Sequence, residues 1–246
     1  MAVSAANSKI RLFHDFYGTD PVAHTAVPRP LGPFVVAGQG AAELDAGVPA
    51  VAGVPSGAGR ITTTNETEHT TLVGTAAGFV PGTMGTIVLE TRVQFADLDT
   101  KEAFIGFSDI APDTLSIETD VLAAATATIT PGASDYVGFY LSAELTADES
   151  WHAVYNGGTT TGVTDSTAAD LVVDAVAGEW QILRLEITSA GTARFYIDEV
   201  LKATIANAVS TTVAQGLCVG VEAKGAAVES MDVDYISVKA NREQAV

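Results

Sequence analysis

The chain has 246 residues, 47% of them apolar, and 12 Lys+Arg against 30 Asp+Glu give it a formal net charge of −18. Such an acidic surface lacks the Lys/Arg stripe that drives counterion release from a phosphate backbone, so nucleic acid is not an expected partner. A chain of this length buries roughly 70–75% of its unfolded surface without a disulfide or a metal, and its single cysteine permits no intrachain bridge.

The charge is unevenly placed. Residues 1–60 carry four basic and four acidic side chains, residues 61–178 carry two and 17, and residues 179–246 carry six and nine. "MAVSAANSKIRLFHDF" has no apolar stretch of signal-peptide length, and no run approaches the ~18 apolar residues of a membrane helix. Synthesis in the cytoplasm, without a membrane span, is the expectation.

In chain order, residues 1–8 are small and polar and read as an arm. "KIRLFHDF" (9–16) is the first run of period two. Six of the nine prolines fall in residues 21–60, and proline removes ladder donors and fixes φ, so this region is expected to be loop-rich with at most brief edge strands. "TTTNETEHTT" (62–71) reads as a polar edge or loop. Period two then recurs at 86–95, 103–109, 136–141, 151–156, 181–188, 193–198, 201–205, 217–223 and 231–240. Ten short strands separated by turn residues predict an all-β sandwich of two antiparallel sheets. "PDTLSIETDVLAAAT" (112–126) is compatible with a short helix or an extended loop.

Within "GEWQILRLEITSAGTARFYIDEVLKATI" (178–205), Leu183, Leu185 and Ile187 share one face, and Phe195 and Ile197 face the same way on the partner strand. Gly191 stands where a turn needs positive φ. Trp180 reads as packed at the root of this hairpin. Trp151, just after the acidic "TADES", reads as a partly exposed anchor, since large aromatics are enriched in interfaces. Cys218, in the apolar "GLCVGVEA", reads as a small buried hydrophobe rather than a reactive thiol.

The order Gly-Glu-Trp, "LRLEI", a Gly turn, "ARFYID", "VLKATI" and then "VGVEAKGAAVESMDVDYISVKA" resembles the laminin-G-like, concanavalin A-like jelly roll of tailed-phage virion proteins. "IRLFHDFYG" resembles its opening strand, and "VQFADLDTKEAFIGFSD" with "SDYVGFYL" resembles the strands before its terminal hairpin. The resemblance covers about residues 9–240 and implies one jelly-roll domain there, with an arm at 1–8, a Pro/Gly-rich loop region at 21–60 and a tail at 241–246. It also implies a capsid decoration protein bound outside a phage head, with the major capsid protein as partner and a closed dimer or trimer as its own assembly. With the near-neutral N-terminal region laid on the shell, Lys9, Arg11, Phe13 and Arg29, together with Trp151, are the expected contact residues. The alternative is a carbohydrate-binding module of a tail fibre, with a surface glycan as ligand. Only 7% of residues are aromatic, and no Trp/Tyr cluster falls in a loop, which weighs against that alternative.

Catalysis is not expected. Glycosidases of this fold carry Glu-x-Asp-x-x-Glu on one strand, and the nearest match is Glu118-Thr-Asp120-Val-Leu-Ala123, in which alanine replaces the third acid and one partner of a necessary pair is missing. His14, His24, His69 and His152 are scattered and begin no metal-ligand cluster. Asp232 and Asp234 share a face of the last strand and read as edge-protecting acids. With no Gly-x-Ser-x-Gly elbow and no phosphate loop, neither metal nor cofactor is expected.

Overall fold

Strands that alternate apolar and polar side chains need neighbours for their hydrogen bonds and a second layer for their apolar face. The computed structural model describes residues 9–17, 22–23, 29–41, 46–51, 54, 57–147 and 149–242, and nineteen strands, β1 to β19 in chain order, meet both needs. The larger sheet runs β17 (Val200–Ile205), β16 (Ala193–Ile197), β15 (Gln181–Ile187), β8 (Ile87–Gln94), β19 (Ser230–Asn241), β6 (Gly59–Thr62), β5 (Gly47–Val48), β2 (Val22–Ala23), and β1 (Lys9–His14) also pairs with β19. The second sheet runs β14 (Asp170–Asp174), β13 (Ser150–Asn156), β12 (Tyr136–Ser142), β9 (Lys101–Ser108), β18 (Gly216–Ala223), β7 (Thr70–Gly74), β4 (Phe34–Ala37), β3 (Arg29–Leu31). A separate hairpin pairs β10 (Leu122–Ala125) with β11 (Thr128–Pro131). The pairings are antiparallel throughout, and the two stacked sheets form the expected jelly-roll sandwich.

All ten expected strands are present, each with ends within two residues of the pattern. The proline-rich region contributes strands of only two to four residues, β2 to β6. Residues 1–8 and 243–246 lie outside the described residues. The ambiguous segment 112–126 resolves into a single helical turn, Ile117–Val121, leading into β10.

The core fills the space between the sheets. Leu183, Leu185, Ile187, Phe195 and Ile197 all point into it and are buried, each such side chain contributing about 1.5–3 kcal/mol. Gly191 has φ 72°, as the turn requires. Trp151 corrects an expectation: it is 0% exposed. Period two on β13 sends Trp151 and Ala153 inward, where Trp151 meets Phe95 at 5.9 Å and Phe139 at 6.2 Å. Its indole N–H donates to Gln181 Oε1 at 2.8 Å, which satisfies its polar atom inside the core. Trp180 is the half-buried one, with the Arg92 guanidinium 4.9 Å from its ring.

A second apolar cluster lies on the outer face of the eight-stranded sheet. Ile117, Val121, Leu122 and Ile129 cover Leu72, Phe104, Tyr136, Tyr140 and Cys218. Every residue of β9, β12 and β18 is therefore buried, on both faces, the pattern of strands covered on two sides.

Candidate functional site

The two sheets differ in what their outer faces offer. On the nine-stranded sheet the key strand is β19, which changes partner midway: Ser230–Val233 lie beside β6 and Ile236–Asn241 beside β1. At the changeover its register against β8 slips between Val233 and Tyr235, leaving Asp234 as the extra residue of a β-bulge. The Thr91 hydroxyl donates to the Tyr235 carbonyl at 2.7 Å and holds the bulge. Because Met231 and Val233 point inward, an unbroken alternation would bury Tyr235 as well. The slip instead turns Tyr235, Ser237 and Lys239 outward while Ile236, Val238 and Ala240 stay buried.

β1 contributes the other wall. Ile10 and Leu12 pack on the core, so Lys9, Arg11 and Phe13 face solvent, Phe13 being 56% exposed. Phe13 lies opposite Ser237, Ser237 opposite Glu90, Glu90 opposite Arg184 and Arg184 opposite Tyr196, a row crossing five strands. At one end of this face a groove of about 550 Å³ is lined by Arg11, Phe13, Glu90, Asp234, Tyr235 and Lys239, among others. The rings of Phe13 and Tyr235 stack at 6.4 Å with 30° between their planes. The Tyr235 hydroxyl donates to Glu90 Oε1 at 3.0 Å, and Arg92 Nη1 donates to Asp234 Oδ2 at 3.0 Å. Burial, with the Glu90 hydrogen bond and charge, pushes the Tyr235 phenol above its ordinary value. Farther across, the Arg184 guanidinium lies 4.0 Å over the Tyr196 ring.

The eight-stranded sheet carries its polar groups under cover. Glu102 on β9 lies directly opposite Glu222 on β18, and both are fully buried. Glu222 Oε2 accepts from the Ile117 N–H at 2.7 Å, from Ser116 Oγ at 3.0 Å and from the Thr70 hydroxyl, and Glu222 Oε1 accepts from the Glu118 N–H at 3.3 Å. Tyr140 donates to Glu102. Burial, then the charge of Glu222, holds the Glu102 carboxyl well above the usual carboxylate range. Lys224 Nζ sits 2.9 Å from Glu118 and 3.1 Å from Glu144. Burial works to lower its pKa, but the carboxylates outweigh it and the ammonium is held above its ordinary value. Two adjacent carboxyls are the raw material of acid–base chemistry. Here their hydrogen bonds tie down the segment that covers them.

Of the expected contact residues, Lys9, Arg11 and Phe13 come together on β1. Arg29 is exposed on β3, at the edge of the other sheet, and Trp151 is in the core. Tyr235, Glu90, Asp234, Ser237 and Lys239 lie outside the expected set. Their strands are distant in sequence, and the available signal was the change of apolar parity along the last strand, from Met231 and Val233 to Ile236 and Val238, which frees Tyr235 to face outward. Asp232 and Asp234 do not act as a pair. Asp232 holds Arg60 at 2.6 and 2.9 Å, while Asp234 holds Arg92. Glu118 and Asp120 belong to the covering turn, where Asp120 accepts from the Ser116 N–H at 2.9 Å. Among the described residues no three His, Cys, Asp or Glu side chains are grouped to hold a metal ion. Cys218 is buried, and burial raises its pKa.

Among solved structures, the chain is similar to a protein of unknown function from Shewanella oneidensis MR-1, at 13% identity and TM-score 0.58, over 100% of this chain and 92% of that one. It is also similar to the carbohydrate recognition domain of Emp47p, at 11% identity and TM-score 0.57, over 98% and 100% of the two chains. A third is the alginate lyase Aly36B, at 9% identity and TM-score 0.54, over 96% and 98%. These likenesses define the class, a concanavalin A-like jelly roll, and the class alone carries no activity. No protein-family model and no curated protein matches the sequence.

Proposed function

We propose that this protein is a non-enzymatic binding module that holds a glycan on the open face of its nine-stranded sheet. The observation that carries the reading is the stacked pair Phe13 and Tyr235, standing beside Glu90, Asp234 and Ser237 in one groove. Aromatic faces pack on the C–H faces of sugar rings, and carboxylates and hydroxyls meet sugar hydroxyls. Strands of a packed sheet hold such groups with little entropy left to lose on binding. The covered state of Glu102 and Glu222 supports binding over turnover, and the fold is one that serves carbohydrate recognition in Emp47p. A glycan array followed by calorimetry tests this. Phe13→Ala is expected to weaken the best ligand at least about tenfold, a loss of ~1.4 kcal/mol, and unchanged binding overturns the reading.

One observation favours a second reading, a decoration protein on the outside of a phage head. Beyond β19, β1 has no strand beside it among the described residues, and a free strand edge can be extended by a partner's strand. Co-sedimentation with capsids, together with a mass measurement for a dimer or trimer, decides between the two. Binding to capsids but to no glycan selects the second.

A further inference from the structure

Among the described residues the cations divide into two groups. Arg60, Arg92, Lys101, Arg184, Arg194 and Lys224 each have a carboxylate within 4.0 Å. Lys9, Arg11, Arg29, Lys202, Lys239 and Arg242 form no such ion pair, although the chain has 30 acids for 12 cations. Four of these six gather at one end of the β1–β19 ladder. Lys9 lies opposite Asn241, the neighbour of Arg242, and Arg11 lies directly opposite Lys239. All four are exposed. Like charges directly opposite each other on neighbouring strands cost stability, and here no acid offsets them.

The groove starts at this cationic pole. From Lys239 it passes Ser237 to Tyr235, about 13 Å along the strand at ~3.3 Å per residue, with Phe13 alongside. Asp15, Glu90 and Asp234 line the rest of it. One end therefore attracts anions, the middle sets Phe13 and Ser237 beside Glu90, and the far end, where Arg92 pairs with Asp234, offers hydrogen-bond acceptors.

We infer that the Arg11–Lys239 pair is an anion subsite and that the groove takes an acidic polysaccharide, one whose sugars carry carboxylates or sulfates. This deepens the glycan-binding reading and rests on it. A guanidinium fork beside an ammonium suits a carboxylate or sulfate placed between them, and an anion there relieves the cross-strand repulsion. A nucleic-acid strand carries a phosphate at every nucleotide, so phosphates entering at the pole would also lie against Glu90 and Asp234. An acidic glycan separates its charges by uncharged ring faces and hydroxyls, which match the middle and far end.

The test is calorimetry on the full chain with four probes of matched length: a uronate oligosaccharide, a sulfated one, a neutral β-glucan and a single-stranded oligonucleotide. An acidic glycan is expected to bind at least about tenfold tighter than the neutral one, with the advantage shrinking as salt rises. The double variant Arg11→Ala/Lys239→Ala brings the acidic glycan down to the affinity of the neutral one, Arg11→Lys/Lys239→Arg retains most of the advantage, and the control Arg29→Ala/Lys202→Ala leaves it intact. Equal affinity for acidic and neutral glycans overturns the anion subsite but not the glycan-binding reading. No glycan binding at all overturns both, tightest binding of the oligonucleotide replaces the ligand class, and an equal loss in the control variant assigns the effect to overall charge. Circular dichroism of each variant confirms that the β structure is intact.

Discussion

Both outer faces carry the same pair of side chains, a tyrosine donating to a glutamate: Tyr140 to Glu102 on the covered face and Tyr235 to Glu90 on the open one. Under the cover, water is gone and a charge has no solvent to fall back on, so the Glu102 carboxyl is pushed upward and the surrounding donors close around Glu222. On the open face the pair leaves ring surface and lone pairs turned toward solvent. Coverage, not residue type, makes one pair a fastener and the other a tool. Substitutions on the covered side should therefore cost folding, and those on the open side should cost ligand.

The largest separation is expected between the tryptophans. Trp151→Ala should destabilise the fold by about 3–5 kcal/mol in urea denaturation, and Trp180→Ala by under ~1.5 kcal/mol, since its ring is only half-buried, with the Arg92 guanidinium over its face. A cost at Trp180 equal to that at Trp151 would break the comparison at its root. Next is Glu222→Ala, which strips the acceptor from Thr70, Ser116 and the Ile117 and Glu118 N–H groups. We expect a loss of ~2–4 kcal/mol, with limited proteolysis cutting first in 109–135.

pH sharpens the same contrast. Burial raises both Glu102 and Asp135, the latter to about 6. Raised acids bind a proton more tightly in the folded chain than in the unfolded one. Their contribution is full below the unfolded values and is lost as pH climbs through the raised folded values, about 6 for Asp135 and well above the ordinary carboxylate range for Glu102. Urea midpoints should therefore fall from mildly acidic to mildly alkaline pH, and Glu102→Gln should flatten that slope. A midpoint that rises over the same span would contradict the covered-acid account. The smallest stability effect is expected for Tyr235→Phe, under ~1 kcal/mol, with a measurable loss of glycan affinity. Tyr140→Phe should do the reverse.

Most of the ten main strands were legible because each had to hide one face and so alternated. Trp151 was legible too, by its parity with Ala153, but the acidic residues before it pulled the reading outward. The cover over the second sheet was missed because "TLSIETDVLAAAT" follows no single period. The signal lay elsewhere, in "AFIGF", "YVGFYL" and "LCVGV", which are apolar at both parities and thus demand cover on both faces. The groove was the least legible part. Its walls come from strands at 9–14, 87–94 and 230–241, and the bulge at Asp234 that turns Tyr235 outward shows in the sequence only as a change of apolar parity, from Met231 and Val233 to Ile236, Val238 and Ala240.

The pairing of β1 with the second half of β19 also sets how the molecule responds to force. Lys9 and Asn241 are cross-strand partners, so tension applied between the two ends of the described chain pulls one rung apart at a time rather than loading the whole ladder in shear. β1 peels first, and it takes Arg11 and Phe13 with it while the hairpin of β15 and β16 and the aromatic core around Trp151 stay closed. A ligand held in the groove would thus be let go under load well before the protein unfolds.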